Sequence, residues 1–174
     1  MKTTHTIPTQ SLLNNNVNYQ YIDSYQETFT STKTITAEDL GKAFFATGPE
    51  WIGALMSFRD KIVSALGLKT SSKVSNREDY LNNLKWEAGD QIGIFKVYDK
   101  SANELIIGED DKHLDFRVSL LLQPTENSYQ KTLSITTVVT IHNTLGKLYF
   151  LPVKPFHQFI VPRMLRGMIK GLAA

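Results

Sequence analysis

The chemistry-bearing residues of this chain gather at His113-x-Asp115, with Arg117 two positions on and His142 further along. Two histidines and a carboxylate can form the facial triad of a non-haem iron(II) site. The same groups could instead move protons on a bound ligand, with Asp115 or His113 as acid or base. Spacing does not separate these readings, because any i, i+2 pair on a strand shares a face. Arg117 beside the triad would oppose a cation, so no metal and no other cofactor is assigned. A cross-strand hydrogen-bonded cluster, with Asp115 paired to Arg117 or to a histidine, is the plainer reading. Nucleophilic catalysis has less to stand on: the chain has no cysteine, and no serine sits in a nucleophile elbow. His157 and Tyr149 read as helix-entry packing residues whose polar tips find partners.

Positioning these groups takes a scaffold, and its period is visible in the sequence. Tyr19, Tyr21, Tyr25 and Phe29 occupy odd positions, as a strand with one buried face would place them. Thr36, followed by Glu38 and Asp39, reads as an N-cap with acids in the first turn of a helix that buries Leu40, Phe44 and Phe45. Gly48-Pro49 opens a second predicted helix with the stripe Trp51, Leu55, Ile62, Val63 and Leu66, ended by Gly67. Residues 69–89 are polar and read as a loop with one helical turn near 76–84.

Four strands follow. The expected register pairs Val97 with Leu105 and Phe95 with Ile107. A turn at Asp110-Asp111 then pairs Ile107 with Leu114 and Leu105 with Phe116. The next loop sets Phe116 opposite Val139, Leu120 opposite Ile135 and Leu114 opposite Ile141. Inward side chains are then apolar except Thr137, while His113, Asp115 and Arg117 look outward. A one-residue slip would exchange the faces, so burial should enforce this choice. The last segment, 154–174, repeats apolar residues at helical spacing: Phe156, Ile160, Met164, Met168 and Leu172, widened by Phe159, Leu165 and Ile169. Pro155 suits its first turn and Pro162 should kink or divide it.

At 174 residues the chain suits one domain. Residues 1–16 are polar and aperiodic and are expected as a flexible tail, with a single domain over 17–174. A net charge of +2 argues against nucleic acid. The absence of cysteine, of a basic-then-apolar leader and of a bilayer-length apolar run points to the cytoplasm.

Three stretches carry a resemblance: 108–118 (Gly-Glu-Asp-Asp-Lys-His-Leu-Asp-Phe-Arg-Val), 142–150 (His-Asn-Thr-Leu-Gly-Lys-Leu-Tyr-Phe) and Pro155-Phe156-His157. They resemble an uncharacterised bacterial domain family assigned to the START-like superfamily, also called SRPBCC or helix-grip. The resemblance implies an α+β fold in which a curved antiparallel sheet grips a long C-terminal helix, with two shorter N-terminal helices. It also implies a cavity that often holds an apolar ligand. Some relatives are fused to a nucleotide-binding dehydrogenase-like domain; no glycine-rich dinucleotide fingerprint follows any strand here. The family brings no established activity.

The leading expectation is therefore binding of a small hydrophobic molecule between sheet and C-terminal helix. Trp51, Leu55, Phe95, Phe116, Val139, Phe159, Met164 and Met168 are the expected lining, the methionines adapting to an irregular ligand. One alternative is cyclase- or isomerase-like acid–base chemistry in that cavity. Another is an interaction module, with Ile94, Ile106 and Val138 as an outer patch and a possible weak homodimer. A basic edge of Arg163, Arg166 and Lys170 beside apolar neighbours suits an anionic membrane if it is not simply the helix's solvated side.

Overall fold

The computed structural model describes residues 1–47, 81 and 83–173. The predicted second helix, with Trp51 and Leu55, lies outside the described residues. In chain order the elements are β1 (Lys2–Thr4), β2 (Tyr21–Thr30), α1 (Ala37–Ala46), β3 (Gln91–Ile92), β4 (Phe95–Lys100), β5 (Glu104–Asp110), β6 (Leu114–Pro124), β7 (Gln130–Ile141) and α2 (Thr144–Ala173). The strands form one antiparallel sheet, in the order β1-β2-β7-β6-β5-β4-β3. The fold class is thus α+β, with α1 and α2 on the inner face of the sheet.

Strand β2 arises as the odd-position aromatics require: Tyr21, Tyr25 and Phe29 are buried on one face. Tyr19 lies before the strand and packs on the opposite side with Leu13. Helix α1 starts at the predicted cap. Thr36 Oγ1 accepts from Asp39 N–H (3.3 Å) and Asp39 accepts from Thr36 N–H (2.9 Å), closing a capping box.

Pairing of β6 with β7 is as expected, with Leu114, Phe116 and Leu120 opposite Ile141, Val139 and Ile135. Two other pairings differ. Val97 faces Ile107 and Lys100 faces Leu105, because the β4–β5 turn closes later than predicted. The register shift between Val97 and Asp99 brings the offset back to an even number. Phe95 pairs with Ile92 instead of Ile107. Ile107 meets Val118 and Leu105 meets Leu120, since the β5–β6 turn closes later than predicted. Asp111 and Asp115 carboxylates accept the N–H groups of His113 and Asp111, both at 3.1 Å, and fix the turn there. The shift is even, so each side chain keeps its predicted face.

The inner face holds the main core. Leu105, Ile107, Leu120, Leu133 and Ile135 pack against Leu40, Phe44 and Phe45 of α1 and Val161, Met164, Leu165, Met168 and Leu172 of α2. Gly41 lets α1 sit on Trp86, because a Cβ there would lie 2.3 Å from the indole. Helix α2 is longer than predicted, starting at Thr144, so Pro152, Pro155 and Pro162 are all interior. Each would cost an isolated helix about 3 kcal/mol, and burial of the second half offsets that. Phe156 and Phe159, placed on the inner stripe by spacing, are instead exposed. The predicted stripe counted from Phe156, whereas the buried arc runs through Val161.

The outer face is covered as well. The first sixteen residues, expected as a loose tail, add β1 to the edge of β2 and then cross the sheet, burying Ser11 and Leu13. The Glu104 carboxylate, 1% exposed, pins this strap. It accepts from Ser11 Oγ and Ser119 Oγ, each at 2.5 Å, and from Leu12 N–H at 2.8 Å. Ile106 and Val138, expected as an exposed patch, lie beneath Leu13, while Ile94 belongs to the main core.

Candidate functional site

Three consecutive inward positions on β2 and β7 form the site. The strands pair Tyr21 with Val139, Asp23 with Thr137 and Tyr25 with Ile135. The first row belongs to an apolar cluster with Leu114, flanked by Phe116 and Phe150. The third row belongs to the main core. Between them runs a polar belt, Asp23 and Thr137, both buried. His157 of α2 comes down onto this belt.

Its ring bridges the two strands. Nδ1 lies 3.1 Å from Asp23 Oδ2, and Nε2 lies 3.0 Å from Thr137 Oγ1. The Tyr21 hydroxyl donates to the same Oδ2 at 2.7 Å. An ionised carboxylate only accepts, so the proton on Nδ1 points at Asp23. Nε2 then pairs with Thr137, accepting from its hydroxyl or, as imidazolium, donating to it. The result is a carboxylate–imidazole–hydroxyl chain under the helix.

Burial first, and then the Asp23 hydrogen bond, push the Tyr21 phenol far above its ordinary value. Tyr25, two positions on, is pushed up to about 12, by burial first and the Asp23 charge second. Both phenols therefore stay neutral donors. Asp23 is 0% exposed, yet its Oδ1 has no hydrogen-bond partner among the described residues. A buried acceptor without a donor costs about 1–3 kcal/mol, more when charged, so such an atom calls for an explanation.

The sequence-level candidates fall in two groups. Phe95, Phe116, Val139, Met164 and Met168 sit on the inner side around or below the belt. Phe159 points to solvent, with the Arg163 guanidinium 3.4 Å from its ring centroid. Asp115, His113, Arg117 and His142 lie on the outer side or at the hairpin end, and they do not converge. His142 Nε2 pairs with Asp115 at 2.9 Å, the pairing expected of a cross-strand cluster. His113 Nδ1 faces Asn143 at 3.2 Å. Arg117 pairs with Asp110 and lies 3.5 Å over the Tyr98 ring. Burial acts to raise the Asp110 pKa, but hydrogen bonds from Arg117 and Tyr98 outweigh it and hold the group below its usual value. Among the described residues no three His, Asp or Glu side chains group as a metal site. Arg117 and Asp115 border an outer cavity of about 360 Å³ also lined by Leu13 of the strap and by Tyr19.

Asp23 is the residue that sequence reasoning missed. Its signal was present: it shares the odd, inward parity of Tyr21 and Tyr25. The model of a family described as "Protein of unknown function (DUF2867)" matches residues 17–164. A comparison with curated proteins gave no match.

Proposed function

The chain belongs to this family of proteins of unknown function, and we propose that it binds a small, mostly apolar molecule between the inner face of the sheet and α2. The Asp23–His157 belt takes the ligand's polar end. The observation that carries this reading is Asp23 Oδ1, a fully buried acceptor with no hydrogen-bond partner among the described residues. A hydroxyl or amide N–H on the ligand would complete it. Phe116, Val139 and Met164 supply apolar walls to either side. A single antiparallel sheet closed by a C-terminal helix also supports the helix-grip expectation.

Native mass spectrometry of the protein from a lipid-rich expression host, with binding of 1-anilinonaphthalene-8-sulfonate, tests the proposal. A retained small-molecule adduct, and dye binding weakened at least tenfold by Asp23→Leu, is the expected result. An unadorned mass together with no dye binding by the folded protein would end it.

The enzyme reading moves from the outer stripe to the same belt. Asp23 orients the ring, as a carboxylate orients a catalytic base, and a ligand would exchange a proton with Nε2 by displacing the Thr137 hydroxyl. Turnover of an identified ligand that His157→Gln abolishes while binding persists would select catalysis over passive binding.

A further inference from the structure

Helix α2 changes character along its length. Its second half buries Val161, Met164, Leu165, Met168 and Leu172. On the first half, Leu145, Leu148, Leu151 and Phe159 are 45%, 65%, 68% and 59% exposed. At 3.6 residues per turn these four fall within roughly 120° of the circumference, on the side away from the buried stripe. Arg163, Arg166 and Lys170, all exposed, continue that same side toward the C-terminus. The helix carries five cations, Lys147, Lys154, Arg163, Arg166 and Lys170, and no carboxylate side chain; the last acid in the chain is Glu126. An apolar patch on a soluble domain normally marks a docking surface.

We infer that the outward side of α2 docks on an anionic phospholipid surface, its leucines and Phe159 entering the headgroup region and its cations pairing with lipid phosphates. Charge complementarity selects this occupant: a patch bordered only by cations on its own helix favours a uniformly negative surface. No helix among the described residues is long and apolar enough to cross a bilayer, so the helix would lie in the interface. Residues that face the sheet are not involved, so this docking is independent of the belt at Asp23.

Vesicle flotation tests it, using phosphatidylcholine alone and phosphatidylcholine with phosphatidylglycerol. The wild-type chain should float with the anionic vesicles, stay behind with the neutral ones, and lose binding about tenfold or more on raising salt. Leu148→Asp with Leu151→Asp should abolish flotation and leave the melting temperature unchanged, since both side chains are exposed. Arg163→Ala with Arg166→Ala should weaken it several-fold. A wild-type chain that floats with neither vesicle overturns the inference. So does a dimer in light scattering that the double leucine variant dissociates, for then a second copy of the chain covers the patch.

Discussion

The His157 ring in α2 and the Asp23 carboxylate in β2 stand 134 residues apart in the chain and 3.1 Å apart in space. This contact ties the helix to the sheet where the inner face turns polar. His157→Ala would take the imidazole partner from a buried carboxylate, and the expected loss is about 3 kcal/mol in urea unfolding. Asp23→Leu combined with His157→Leu should cost clearly less than the two single changes added together. Strict additivity would show that the two groups do not act as a pair.

The tyrosines give a pH test. Tyr25 and Tyr98 are pushed up to about 12 from 10.0, each by burial first, with Asp23 and Asp110 respectively adding to the shift. A raised folded value means a stabilising contribution that is whole below pH 10.0 and lost as pH rises through about 12. Tyrosinate absorbance from these two residues should therefore appear well above pH 10.0. It should appear together with loss of circular dichroism. Titration of Tyr25 and Tyr98 near pH 10 with the fold intact would contradict the burial assigned to them.

Much of this architecture could be read in advance, for specific reasons. The face of each inner strand followed from alternation, and even the misplaced β5–β6 turn kept parity because its error was four residues. The N-cap at Thr36 is a local signal and is legible in the sequence, whereas the reciprocal Asp39 bond that makes it a capping box is seen only in the structure. Three things depended on distant partners. The start of α2 was hidden by prolines that a free helix would not tolerate. The strap over the outer face relies on Glu104, whose partner Ser11 lies 93 residues away. Asp23 reads as an ordinary strand acid until His157 is brought above it. Local periodicity reports which way a side chain points, not what meets it there.

The strap yields its own prediction. Glu104→Ala would strand the Ser11 and Ser119 hydroxyls and the Leu12 N–H, at a cost of about 2 kcal/mol. Protease cleavage within residues 1–16 should accelerate, and Ile106 and Val138 should become accessible to an apolar dye. An unchanged cleavage rate would mean that other contacts hold the segment.

Gly41 and Gly171 make a matched pair. An added methyl at Gly41 meets Trp86 at 2.3 Å, whereas nothing lies within 4 Å at Gly171. Gly41→Ala should lower stability by about 2 kcal/mol through overpacking, despite a better helix propensity. Gly171→Ala should raise stability by about 0.5 kcal/mol or more, from propensity alone. Thermal unfolding of both variants reads the difference, and a stabilised Gly41→Ala would mean that the indole can move aside.

Asp23 Oδ1, without a hydrogen-bond partner among the described residues, is where a ligand would first be seen. A crystal structure of the chain purified without delipidation measures this directly. The prediction is non-protein density within hydrogen-bonding distance of Asp23 Oδ1, extending between Phe116 and α2. Side chains closed tightly over that atom, with a protein N–H or hydroxyl donating to it, would contradict a ligand site beneath the helix.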